Sequence, residues 1–481
     1  MFDFLPWMDE VHIVEMGRIF SSSGNDATTI LTTASGSPFF PMYYLGPFIH
    51  DFAFRIGGAI AVRLIPWFGL ALTALAFTSF LRSSKRYNNT TVAIMAAIAV
   101  TLPLFIQSIR QVRVDMLAIA SIFLACKFIA ERKTCFSAAF AVISCFIWPS
   151  SILCFPLLLA LVIENKIKPK SIILAITTGT IVAAILLIPI ANNITATISA
   201  FFDYFSAPSS ATEKSLLQRA YILLFNTSIL LTKEFLRAPF FFLLLPLGLF
   251  TLVQKRIILS TALFIAFAAG LYSGMHTFRF IFIMPYLLIA VVEALESIYV
   301  SYRRFAITAG ILTTTYGILC GPIAYATIGD HTTYNHLTQR IQKHLDNIPT
   351  NATIFTPGYS IYYLLRERGF KQIAIGDLPG YLTPERIDEI LSHADYAIIE
   401  KENYYSAVEE NYTLYGIIRD YCLKTAEMES KRINKSFFAK IGESFHYPIK
   451  DDFSKALESH EFKFFGSFKN TDGRNYSFWG K

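Results

Sequence analysis

Charge is scarce in this chain. Only 16% of its 481 residues are Asp, Glu, Lys or Arg, while 54% are hydrophobic. So few charges cannot cover the surface of a soluble domain of this size, which leaves a chain that crosses a bilayer repeatedly. Cysteine is sparse as well. Cys126, Cys135, Cys145, Cys154 and Cys320 fall in apolar runs and Cys422 stands alone in the polar C-terminal part, so there is no disulfide framework. The nine histidines are scattered without paired helical spacing beside carboxylates, and no metal centre is read from them. There is no P-loop, GxSxG or GxGxxG, which removes the support for the nucleotide and hydrolase chemistry those turns carry. Repeats and low-complexity tracts are also missing, and the N-terminus lacks the basic, apolar and small-residue order of a signal peptide.

What the chain does have is a series of apolar runs. They cover residues 57–80, 91–106, 116–130, 134–148, 151–163, 171–191, 239–253, 257–273, 281–300 and 305–326. Most have the roughly 17–25 residues that a helix needs to span the hydrocarbon; 134–148 and 151–163 are short and meet at "WPSS". Every second break is basic, at 82–86, 132–133, 166–170, 255–256 and 303–304. The positive-inside rule puts those breaks in the cytoplasm and accounts for the net charge of +7 without a nucleic-acid partner. The expectation is a polytopic α-helical membrane protein of about ten transmembrane helices with both termini extracytoplasmic. The extracytoplasmic loops are then about 1–56 and 192–237. A polar N-terminus of about 40 residues must then cross the membrane. Either it follows the first span across, or a further helix precedes this sequence; the second is the expectation here.

After the transmembrane part, 1–326, the pattern changes. In 327–481, "ATIFT", "KQIAIG" and "DYAIIE" read as strands alternating with helices at "GYSIYYLLRERG" and "TPERIDEILSHA", and "EFKFFGSF" and "NYSFWGK" suit an antiparallel pair. The expectation is a soluble extracytoplasmic α/β domain.

Four constellations could carry chemistry. Asp9 and Glu10, near Trp7 and His12, are adjacent carboxylates ahead of the first span. One of them, at the lip of an apolar cavity, would gain basicity through lost solvation; the bland alternative is two solvated acids at a helix N-terminus. "SIRQVRVD" sets Arg110 and Arg113 three apart with Asp115 beside them. Guanidinium groups match phosphate oxygens, though arginines at such a boundary also snorkel toward headgroups. "GMHTFRF" puts His276 and Arg279 at another outer helix start, to neutralise an anion or anchor the helix. Residues 203–237 mix charges with aromatics and suit amphipathic helices lying in the interface, most of their charges being solvated. Arg63, inside the first span, needs a polar partner that the sequence does not name.

These positions together resemble the GT-C class of polyprenyl-phosphate-sugar-dependent glycosyltransferases, in the aminoarabinose-transferase and protein-O-mannosyltransferase-like branch. "MDEVHIVEMGRIF" is similar to the acidic motif of its first outer loop, and "SPFFPMYYLGPFIHDFAFRIGGAIAVRLI" to the stretch that leads into a helix. "RVDMLAIASIFLA" resembles its Arg-x-Asp pattern and "HTFRFIFIMPYLL" its Arg-Tyr-x-x-Pro-like pattern. There are departures. "SPFFP" replaces the usual His-Pro-Pro, Phe280 follows Arg279 in place of Tyr, and the usual first transmembrane helix does not appear.

The resemblance implies a multi-pass protein of the bacterial inner membrane that moves a sugar from a polyprenyl-phosphate donor to a lipid, glycan or protein acceptor. It implies Asp9 as general base with Glu10 assisting, Arg110, Arg113 and Arg279 at the donor phosphate, and Asp115 and His276 in support. One base and no covalent intermediate imply inversion at the anomeric carbon. No cofactor is implied, and a divalent metal is left open. Two rival readings use the same residues. One is a transporter or lipid flippase, which would more often carry mid-membrane charges and repeats. The other is a non-catalytic envelope assembly or polymerase component, which would tolerate Asp9→Asn.

Overall fold

A computed structural model of the protein describes residues 8–21, 44–193, 195, 216–272, 277–323, 334–356, 360–370, 372–375, 388, 391–401, 414–430, 432, 435–436, 438–440, 454–469 and 475–481. The chain opens with α1 (Met8–Ser21) and α2 (Leu45–Ser84), followed by α3 (Asn89–Thr101), α4 (Pro103–Arg110), α5 (Asp115–Ala130) and α6 (Thr134–Ile147). A 3-10 turn, Pro149–Cys154, leads to α7 (Phe155–Glu164) and α8 (Pro169–Leu187). Next come α9 (Leu216–Arg237), α10 (Pro239–Lys255), α11 (Ile257–Tyr272), α12 (Thr277–Phe280), α13 (Met284–Ser301) and α14 (Arg303–Ile318).

Within the described residues each of the ten apolar runs is mostly helical. Among the described residues, five helices are long and apolar enough to cross a membrane, or six if the pair 227–237 and 239–255, bent by 114°, is one span; Thr134–Ile147, Pro149–Glu164 and Ile257–Tyr272 are shorter apolar helices. The chain is a multi-pass helical membrane protein.

Proline places the internal breaks. A residue before proline is pushed out of the helical region, and Leu102, Trp148 and Ala238, each followed by proline, all have non-helical backbone. Helix α2 bends instead at Gly57–Gly58, where Gly58 has φ +60°, a conformation that side-chain-bearing residues rarely adopt. The span expected from residue 57 thus begins at a break inside a longer helix.

The residues group into two compact units, one of residues 41–46 and 64–323, the other of residues 1–40, 47–63 and 324–481. In the first unit α13 is the central helix, buried continuously from Met284 to Leu295. Its close neighbour is α10: a Cβ at Gly248 would collide with the backbone of Ala290. Small residues at such crossings let helix backbones approach where lipid offers no hydrophobic drive. Helix α8 lies at the other extreme. Its one buried residue is Gly179, while Ile173, Leu174, Ile176, Ile181 and Ile185 are exposed, as suits a lipid-facing helix.

In the second unit the C-terminal part holds α15 (Tyr334–Leu345), β1 (Thr353–Thr356), α16 (Tyr362–Glu367), β2 (Gln372–Ile375), β3 (Tyr396–Lys401), α17 (Leu414–Met428), α18 (Ser454–Ser459), β4 (Lys463–Lys469) and β5 (Asn475–Gly480). The sheet order is β2-β1-β3-β5-β4. β1 pairs parallel with β2 and β3, and β5 joins β3 to β4 by antiparallel ladders, with an irregularity between Phe464 and Gly466. Phe355, Leu391, Ala397, Ile399, Leu457 and Phe462 form its core. "TPERIDEILSHA" lies mostly outside the described residues.

Gly248→Val would drive a branched side chain into the Ala290 carbonyl. The expected outcome is a loss of roughly 1–3 kcal/mol through overpacking, seen as a lowered melting temperature of the detergent-purified protein, with Gly179→Ala near neutral.

Candidate functional site

Helix α1 carries the acidic motif and is buried along much of its length, through Val11, Ile13, Val14 and Met16. Two carboxylates are buried with it. Glu10 accepts a hydrogen bond from Arg63 Nε at 3.0 Å, which supplies the partner that an arginine inside an apolar run requires. The Arg63 guanidinium lies 5.7 Å from the ring centroid of Tyr363, and that ring stacks on Phe54 at 5.4 Å. Glu15 is gripped more heavily. Arg18 donates to it through Nε at 3.0 Å and Nη2 at 2.6 Å, and the Tyr362 hydroxyl donates to its other oxygen. Asp51, on α2, accepts from Arg366 at 3.0 Å, Arg55 at 2.8 Å and Ser21 at 3.1 Å. Gly17 lets α1 settle against the carbonyl of Pro47, where a Cβ would not fit.

The electrostatics follow from this packing. Burial by itself pushes Glu15 up, but the charge and hydrogen bonds of Arg18, helped by Arg366 and Tyr362, hold its carboxyl below the ordinary value of 4.5. Burial, then the charge of Glu15, keeps Tyr362 well above the usual phenol range, so its hydroxyl remains a donor. Tyr363 is raised likewise, by burial and then by Glu10.

Asp9 lies on α1 one residue before Glu10. Its side chain, that of His12, and the whole of Trp7 and His276 fall outside the described residues. Of the expected phosphate ligands, Arg113 is the best defined. It donates to Asp115 through Nε at 2.7 Å, Ser108 donates to the same carboxylate oxygen at 3.0 Å, and its guanidinium lies 5.0 Å from the Trp148 ring centroid. The backbone that presents it is a Schellman-type cap on α4, with Arg113 N–H bonded to Ser108 O at 3.0 Å and Val112 N–H to Ile109 O at 2.9 Å. The cap's left-handed position, usually glycine, is the buried Val112 with φ +52°. Asp115 therefore pairs with Arg113, one of the two arginines open to it from the sequence. Arg110 is half-buried in the last turn of α4, and Arg279 is buried on α12.

The turn after Trp148 reaches the segment that follows Arg279. The Cys154 thiol donates to Phe282 O at 3.1 Å, and the Tyr286 hydroxyl donates to Leu153 O at 2.8 Å while accepting from Leu157 N–H at 2.9 Å. "WPSS" thus joins the surroundings of two expected phosphate ligands. Among the described residues, no group of three or more His, Cys, Asp or Glu could hold a metal.

Sequence reasoning missed several charged residues. Glu15, Arg18, Asp51, Tyr362 and Arg366 were not singled out, although the Glu15 and Arg18 spacing of three was a signal. Arg256, counted among the basic breaks, is buried and bonds Glu293 at 3.0 Å and Glu164, with Tyr87 donating to Glu293 at 2.7 Å. Glutamate at 293 inside an apolar run was the readable sign. In the interfacial stretch, residues 203–215 lie outside the described residues. Glu234 is not solvated as expected there: it is buried and paired with Arg237 at 2.8 Å.

Because the folded Glu15 titrates below its ordinary value, its stabilisation is present above pH 4.5 and lost as pH falls through the lower folded value. Glu15→Gln should cost roughly 3 kcal/mol at pH 7 by stranding Arg18. Melting temperatures of wild type and variant, measured in detergent, should converge as the pH is lowered from 4.5 through the folded value.

No family model matches the chain, and no curated protein matches it. Solved structures resemble it, among them two of one enzyme. ArnT from Cupriavidus metallidurans in the apo state is 13% identical with a TM-score of 0.54, over 83% of this chain and 89% of that one. The same enzyme bound to undecaprenyl phosphate is 10% identical with a TM-score of 0.57, over 99% of this chain and 94% of that one. This chain has the fold of ArnT, the GT-C fold expected from its motifs.

Proposed function

We propose that the protein is an inverting glycosyltransferase that moves a sugar from a polyprenyl-phosphate donor to an envelope lipid, glycan or protein acceptor on the extracytoplasmic side. The observation that carries this is the likeness, over nearly the whole of both chains, to an ArnT structure holding undecaprenyl phosphate. ArnT is a GT-C aminoarabinose transferase. The order of the acidic helix, the Arg-x-Asp turn and Arg279 along the chain supports the same reading.

In this reading the acceptor hydroxyl attacks the anomeric carbon, Asp9 takes its proton, and the bond from that carbon to the phosphate oxygen breaks. The leaving group is the polyprenyl phosphate, whose growing charge needs fixed cations rather than a proton donor. Arg110, Arg113 and Arg279 supply them. Arg113 suits the task because Asp115, itself held by Ser108, and the Trp148 ring hold its plane in advance. Glu10, paired with Arg63, holds α1 rather than taking a proton itself. His276 supports Arg279. Ten crossings, a bacterial inner-membrane location, both termini outside and an extracytoplasmic α/β part complete the proposal.

The test is transfer of label from a panel of undecaprenyl-phosphate-linked sugars to envelope acceptors, by membranes containing the full chain. Wild type should transfer label, Asp9→Asn should not, and Arg113→Lys should lose about 100-fold in kcat through loss of the planar fork. Equal transfer by Asp9→Asn would remove Asp9 as the base. No transfer from any donor by correctly folded protein would overturn the reading.

A further inference from the structure

Helix α16 is short, yet Tyr362, Tyr363, Leu364 and Leu365 are all buried. Its polar ends are not used in the core of the sheet, which consists of apolar side chains. They are turned to the acidic helix and its neighbour. Tyr362 donates to Glu15, and Tyr363 stacks on Phe54 under Arg63, the partner of Glu10. Arg366 donates to Asp51 and covers the Phe54 ring at 4.4 Å. Buried polar groups cost stability unless satisfied, and here Tyr362 and Arg366 satisfy carboxylates on two other segments.

Helix α1 has 14 residues, too few to be stable in isolation. Its rotation about its own axis is therefore set by what grips it. Positions 9 and 15 are separated by about 120° around that axis. A grip on Glu15 thus fixes one side of the helix and, with it, the direction in which the other side is presented.

We propose that α16 is a positioning element for the acidic helix: Tyr362 and Arg366, acting through Glu15 and Asp51, set the rotation of α1 and so the placement of Asp9 toward the acceptor. This rests on the transferase reading for its effect on rate, but the mechanical part stands apart from it. It gives the C-terminal part of the chain a task in the reaction. Tyr362 and Arg366 touch neither donor nor acceptor in this scheme, so they act on catalysis only through the carboxylates they hold.

The experiment uses the full chain in membranes, with Tyr362→Phe, Arg366→Lys, Glu15→Gln and the double variant Glu15→Gln/Tyr362→Phe. The changes at 362 and 366 are conservative and keep the ring or the charge. Two readouts are taken: kcat and KM for transfer, and the rate at which a membrane-impermeant maleimide labels Asp9→Cys with and without Tyr362→Phe. The expected result is a fall in kcat of about tenfold to a hundredfold with KM for the donor within about twofold. The double variant should be no slower than the slower single, and labelling of Asp9→Cys should change by about threefold or more. Unchanged labelling overturns the proposal whatever the kinetics. Changed labelling with unchanged kcat overturns the catalytic role. A wild type that transfers nothing removes the transferase reading, and labelling alone then decides whether α16 sets the position of α1.

Discussion

A carboxylate withdrawn from water needs a cation or hydrogen-bond donors at contact distance; Glu400 takes Ser360, and six others take arginine. Glu10 has Arg63, Glu15 has Arg18, Asp51 has Arg366 and Arg55, Asp115 has Arg113, Glu234 has Arg237, and Glu293 has Arg256. The choice of arginine over lysine is physical. Its planar fork can meet a carboxylate with two donors, and it gives up less hydration on burial. Such pairs are poor sources of net stability, because desolvation offsets much of the attraction, but removing one partner is severe. They therefore select one arrangement of helices against others more than they deepen the energy well. Where apolar side chains can slide past one another, a buried ion pair cannot.

The same logic prepares a site for a phosphate. A guanidinium already fixed by a carboxylate and an indole loses little freedom when an anion arrives, and the electrostatic benefit at a leaving phosphate depends on that prior order. At Arg113 the order reaches into the backbone. Val112 occupies a left-handed position that usually costs a branched residue about 1–2 kcal/mol. That cost is borne inside a well-packed cap, at the residue that aims Arg113. Strain of this kind persists where surrounding structure over-determines it, and it tends to gather at functional positions.

How much of this could be read from the sequence depended on the range of the interaction. Apolar run length found the helices, and proline marked the breaks at Leu102, Trp148 and Ala238, because both are local effects. The strands at 353–356, 396–401, 463–469 and 475–480 were legible from alternating β-branched and aromatic residues. Arg63 declared itself as a charge in an apolar run. Its partner did not, because Glu10 lies 53 residues away and nothing in either segment names the other. Glu15 and Arg18 looked like an ordinary helical pair, since spacing alone says nothing of burial. Tyr362 and Arg366 read as part of a helix in an α/β domain, for the same reason. The acidic motif was found, but what grips it was not, because the grip is made by segments more than 300 residues apart in the chain.

Arg256 shows how one residue can serve at two different times. During synthesis it stands in a basic break before Glu293, 37 residues further along the chain, has been made. At that stage its charge can help decide which way the neighbouring helices are threaded, since Lys and Arg in short loops bias insertion. Once the later helix is in place, the same guanidinium becomes the hub that joins Glu164, Glu293 and Tyr87. A helix pair threaded the other way round would not bring these groups together.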